Sequence, residues 1–112
     1  MSLIHSKEEI NNILSPVPSE KAFRFCTAEN QSTDLFATSL EDFSEKLTQI
    51  EVASLDFHYP RGDFQKWVRE VILDNELADR LCYIQKEVTG EKLRKEIAKI
   101  VQKRIIELKT TP

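Results

Sequence analysis

Hydrophobic positions recur along this chain at two different spacings. In the second half, Phe64, Trp67, Val68, Val71 and Ile72 follow the i, i+3, i+4, i+7, i+8 rule without a break, which predicts a helix beginning at Asp63. Asp63 is read as its N-cap. Asp74 would cap the next helix, whose apolar face is Leu77, Leu81, Ile84 and Val88. Gly90 ends or resets that helix. Leu93, Ile97, Ile100, Val101, Ile105 and Leu108 then form a long stripe reaching about Lys109.

The first half is more broken. Ser6 and Glu9 match a capping box at the start of a short helix over about residues 6 to 14, with Ile10, Ile13 and Leu14 as its face. Pro16 and Pro18 stop it. Ala22 to Cys26 alternates apolar and basic residues, the period of a strand, and Leu35-Phe36-Ala37 can pair back across a polar loop from Glu29 to Asp34. Thr38 with Glu41, or Ser39 with Asp42, would cap a helix carrying Leu40, Phe43, Leu47 and Ile50. A brief helical or extended piece from Val52 ends at Pro60. The expected fold is mainly α: a single-domain bundle of five to six helices, with room for one short N-terminal β-hairpin. Residues 1–20 read as an N-terminal helix and Pro-rich linker, and residues 21–109 as the helical domain, one compact domain overall.

Composition agrees with that reading. Two Gly and four Pro in 112 residues are too few for the many turns of an all-β sandwich. With 40% hydrophobic and 31% charged residues, the expectation is a soluble globular domain. Charge is segregated. Residues 1–60 hold ten acidic against four basic side chains, net −6, whereas residues 91–112 hold three against seven, net +4. Cys26 and Cys82 form no CxxC pair, and Cys82 within its apolar pattern reads as a small hydrophobe. No signal segment or long apolar run is seen, so the expected compartment is the cytoplasm.

Chemistry concentrates at 57–68, Phe57-His58-Tyr59-Pro60-Arg61-Gly62-Asp63-Phe64-Gln65-Lys66-Trp67-Val68. Pro60 and Gly62 force a turn, with Phe57 and Phe64 packing across it. His58, Arg61 and Asp63 would then be the polar seam of a structural corner, His58 bonded to a carboxylate or carbonyl. The competing reading makes His58, Arg61 and Asp63 a small-anion, metabolite-binding or acid–base site. Arg61-Gly62-Asp63 also spells an adhesion tripeptide, but a turn accounts for it. No metal is expected, because the second histidine, His5, is remote and zinc sites need three or four N or S ligands. No cofactor motif, nucleophile elbow or phosphate loop is present. Trp67 reads as a core anchor.

Several of these residues carry a resemblance. Phe57-His58, Arg61-Gly62-Asp63-Phe64, Trp67, Val71-Ile72, Asp74 and Glu76-Leu77-Ala78 resemble the signature of an uncharacterised prokaryotic family of small domains. Ala37 to Phe43 and Ser54-Leu55 extend the likeness, which runs from about residue 22 to 109. It implies a genuine domain of prokaryotic origin, but no reaction and no catalytic residue.

The last helix is basic. Its lysines and arginines form a solvated face or, in the sharper reading, an interaction surface centred on Lys95, Lys99, Lys103 and Arg104 for an acidic partner. Nucleic acid fits less well, since a pI near 5.4 is far from that of basic binding domains and a helix-turn-helix over 63–87 would present Glu76, Asp79 and Glu87 to phosphate. A membrane surface fits less well again, because so small a core needs the apolar stripe itself. The expected function is a non-catalytic interaction or regulatory module, its partner a protein or a second copy of the chain.

Overall fold

In the computed structural model, which describes residues 7–28 and 31–110, the chain is mostly helical and carries one antiparallel hairpin. Helix α1 (Lys7–Leu14) is followed by a 3-10 turn at Ser19–Lys21 and the strands β1 (Phe23–Ala28) and β2 (Gln31–Ala37). Helices α2 (Leu40–Lys46), α3 (Val52–Arg61), α4 (Asp63–Trp67), α5 (Asn75–Leu81) and α6 (Gly90–Thr110) complete it. The expected capping residue Ser6 lies outside the described residues, as does Glu29 of the expected loop.

Burial explains why these segments hold. Ile10 and Ile13 of α1, Leu40, Phe43 and Leu47 around α2, and Leu93, Ile97, Val101 and Leu108 of α6 enter one apolar core. The hairpin adds an aromatic centre. Phe23 lies 5.2 Å from Phe64 and 5.8 Å from Trp67, and Phe43 lies 5.4 Å from Phe64 and 5.5 Å from Trp67, centroid to centroid. Tilted and edge-on pairs of this kind add about 0.5–1.5 kcal/mol each beyond their buried area. The hairpin is thus an integral wall of the core. It is also irregular, with register shifts on either side of Cys26 and with Asp34 at φ 65°.

Of the two caps possible before α2, the structure uses the second. Ser39 Oγ accepts the Asp42 N–H at 3.0 Å, and Asp42 Oδ2 accepts the Thr38 N–H at 3.0 Å. Asp74 caps α5 as expected, accepting the Leu77 N–H at 3.2 Å.

Four local expectations are corrected. Pro60 does not end α3; it sits inside the last turn, and the helix stops at Gly62, whose φ of 76° no Cβ-bearing residue adopts cheaply. Asp63 does not cap α4. Gly62 holds the cap position without a side-chain bond, and the Asp63 carboxylate is turned toward His58 and Arg61. The helical run from Asp63 to Ile72 is not uniform, since α4 passes into a π turn at Val68–Ile72 that ends with exposed Leu73 at φ 70°. Cys82 is exposed rather than part of an apolar face, because α5 stops at Leu81 and Ile84 and Val88 reach the core from an irregular segment. Both cysteines are free thiols.

Candidate functional site

The corner at His58 is built from three elements. His58 stands on α3 and is 4% exposed, with Phe23 and Phe25 of β1 and Phe64 of α4 around its ring. Its Nε2 accepts the backbone N–H of Cys26 at 2.9 Å, and its Nδ1 lies 2.8 Å from Asp63 Oδ2. These two partners fix the tautomer. An amide N–H can only donate, so Nε2 is the acceptor and Nδ1–H donates to Asp63. The resting imidazole is therefore neutral.

Arg61 completes the seam from the solvent side. Its Nε donates to Asp63 Oδ2 at 3.0 Å, while its guanidinium lies 4.5 Å over the half-buried Phe57 ring. Phe57 and Phe64 therefore do not pack across the turn: Phe64 enters the core, and Phe57 carries Arg61. His58 and Asp63 line a shallow cleft of about 330 Å³ with Arg24, Lys66, Trp67 and Glu70, and Arg61 is not among its lining residues. The three residues converge on one oxygen of Asp63 more than on a common cavity. An outside substrate reaching for the imidazole would have to displace Cys26 or Asp63.

Burial, the largest influence, pushes the His58 imidazole below its ordinary 6.5; Arg61 acts in the same sense and Asp63 opposes it. Arg24, Lys66 and Glu70 are the other charged groups lining the cleft it faces. The sign of the pH effect follows. Below pH 6.5 the unfolded chain takes up a proton that the folded chain resists, so this contribution to stability is whole above 6.5 and declines as pH falls toward the folded value. Glu107, held below its ordinary 4.5 chiefly by its bond to Arg80, acts only in a lower window. Urea unfolding from about pH 7.5 to about pH 5 is expected to show a falling midpoint for the native chain and a flatter profile for His58→Asn. Equal slopes in the two proteins would rule out the buried neutral imidazole.

The second group of expected residues lies on α6. Lys95, Lys99 and Lys103 are exposed along one side of the helix, as the spacing implies. Arg104 is not with them. It is 6% exposed and grips the buried Asp74, Nε to Oδ2 at 2.8 Å and Nη2 to Oδ1 at 3.1 Å. The signal was there to be used, since Arg104 falls within the stripe of Ile97, Val101, Ile105 and Leu108 rather than on the lysine face. The flanking arginines are also engaged: Arg94 with Glu91, and Arg80 with Glu76 and Glu107. Lys109 reaches Glu41 at 2.6 Å. Among the described residues, Lys95, Lys99 and Lys103 form no ion pair within 4 Å.

A third feature escaped sequence reasoning altogether: an apolar pocket between α3, α4 and the segment joining α5 to α6. Its walls come from residues distant in sequence, and no local spacing announces it. Among the described residues no cluster of three His, Cys, Asp or Glu side chains is placed to hold a metal ion, and no helix is long and apolar enough to cross a membrane.

No family model, no curated protein and no solved structure matches this chain.

Proposed function

We propose that the chain is a non-catalytic protein-interaction module whose docking face is the outward side of α6 and whose occupant is a second copy of the same chain. The observation that carries this reading is the contrast on one helix between engaged and unengaged cations. The arginines are tied into internal ion pairs, while Lys95, Lys99 and Lys103 point to solvent without an ion-pair partner among the described residues.

Apolar groups accompany them. Ile106 is 62% exposed beside Lys99 and Lys103 in one shallow groove, and Tyr83, 83% exposed, lies with the same two lysines in the next. A lysine ridge flanked by two apolar side chains suits a protein surface carrying both acid and hydrocarbon. The chain owns the complementary charge. Its first sixty residues are net −6, and Glu8, Glu20, Glu45 and Glu51 stand exposed there. Glu96 and Glu107 line the same grooves and set the surface against phosphate backbones. Since charge sets encounter and specificity more than affinity, the contact should be weak and sensitive to salt.

Light scattering at low and at high salt tests it. A mass above the monomer at low salt, falling at high salt, is expected, and Lys99→Glu with Lys103→Glu should weaken association roughly tenfold or more. A monomer under both conditions overturns the proposal, as does association that the double substitution leaves intact.

A further inference from the structure

We infer that the lysine ridge of α6 is received by Glu41 and Glu45 on α2 of the second copy, in a reciprocal contact that closes at a dimer. The inference rests on the interaction reading above and names the surface which that reading leaves open. Spacing singles out this acidic row. Lys95, Lys99 and Lys103 follow one another at a helical turn, about 6 Å apart. Among the described residues of the first sixty, one pair of exposed acids on a helix repeats at the same interval, Glu41 and Glu45. Glu8 and Glu9 are adjacent in sequence and so face different sides of α1, and Glu20 and Glu51 have no acid a turn away. The row is also available. The Glu45 carboxylate forms no ion pair within 4 Å among the described residues, and Lys46 on the same helix is turned to Asp42. Glu41 meets Lys109 in a pair half exposed on both sides, which adds little and is readily exchanged.

The fold sets this row beside the ridge. Lys109 reaches Glu41 at one end, and Arg94 donates to the Leu47 carbonyl at the other, so α2 and α6 lie side by side in opposite directions. A basic ridge next to an acidic row complements its own copy in one arrangement. A twofold axis running along the helices lays each ridge on the other copy's row, whereas an axis across them sets lysine on lysine. Two equivalent contacts then form at once. Neither copy keeps a free ridge for a third chain, so the assembly stops at two.

Light scattering at low salt on two charge-swapped chains, apart and mixed, tests the pairing. Lys99→Glu with Lys103→Glu makes both stripes acidic, and Glu41→Lys with Glu45→Lys makes both basic. Each variant alone is expected to associate about tenfold more weakly than the native chain. Mixed in equal amounts they should regain association, at a mass twice that of one chain, because every swapped stripe then meets its opposite. Circular dichroism checks that each variant folds. If the α2 variant does not, Glu41→Gln with Glu45→Gln takes its place and should weaken association about threefold. A native chain that stays monomeric overturns the interaction reading and this inference with it. A native chain that associates regardless of the α2 substitutions, or a mixture of folded variants that stays apart, overturns the acceptor surface alone. Masses growing past two chains overturn the reciprocal closure.

Discussion

Replacing Arg104 by Ala is expected to destabilise the chain by about 3–5 kcal/mol in urea unfolding, the cost of leaving a buried charge without its partner. Asp74 is fully buried, and its carboxylate has two tasks. Oδ1 accepts the Leu77 N–H and so caps α5, while both oxygens meet the Arg104 guanidinium in a two-pronged contact. The guanidinium extends the network, with Nη1 at 3.3 Å from Glu107 Oε1, and Arg80 ties Glu107 to Glu76 across α5 and α6. Losing Arg104 strands Asp74 in a site that water does not reach, and the start of α5 loosens with it. The combined variant Asp74→Asn with Arg104→Met keeps a capping oxygen and removes both charges. It should cost clearly less than the two single changes added together. Strict additivity would mean that the pair is not coupled and that the contact is incidental.

The second large effect is expected at Trp67, where Trp67→Ala should cost about 3–5 kcal/mol. The indole is 7% exposed, lies between Phe23 and Phe43, and donates its Nε1–H to the Lys21 carbonyl at 2.9 Å. It therefore joins α4 to the chain entering β1 by packing and by a directed bond at once. Trp67→Phe keeps most of the apolar volume and loses the bond, and should cost nearer 1–2 kcal/mol. A loss below about 1 kcal/mol for the alanine variant would show that the aromatic cluster is not where stability resides.

Periodicity located what depends on one surface being buried. The apolar stripe of α6, the faces of α1 and α2 and the alternation of β1 each repeat with the period of their element, and the structure follows them. The Asp74 cap was legible because an N-cap needs only its own side chain and an N–H three residues on. What stayed hidden depends on residues far apart in the chain. Asp63 has the right neighbours for a cap, yet His58 and Arg61 claim its carboxylate. Pro60 looks like a helix stop, yet it falls where α3 is already ending, so only the carbonyl of exposed Asp56 is deprived of a donor. Arg104 counts as one more basic residue until Asp74, thirty positions away, is brought against it. At the corner itself, sequence named the residues and left His58 a carboxylate or a carbonyl as partner, and the fold gives it the Asp63 carboxylate. Only the fold supplied the Cys26 N–H.

That N–H also bears on the open edge of the hairpin. A two-stranded hairpin has two lateral rows of backbone groups, and each is a template on which an extended segment of another molecule can grow. On β1 the imidazole of His58 occupies the Cys26 donor and brings α3 alongside it, while on β2 the turn of Asp34 to φ 65° distorts the row. A protonated imidazole can no longer accept from an amide, so protonation of His58 costs the Cys26 N–H its acceptor. The proton that costs the fold its neutral imidazole thus also leaves a strand donor without its acceptor.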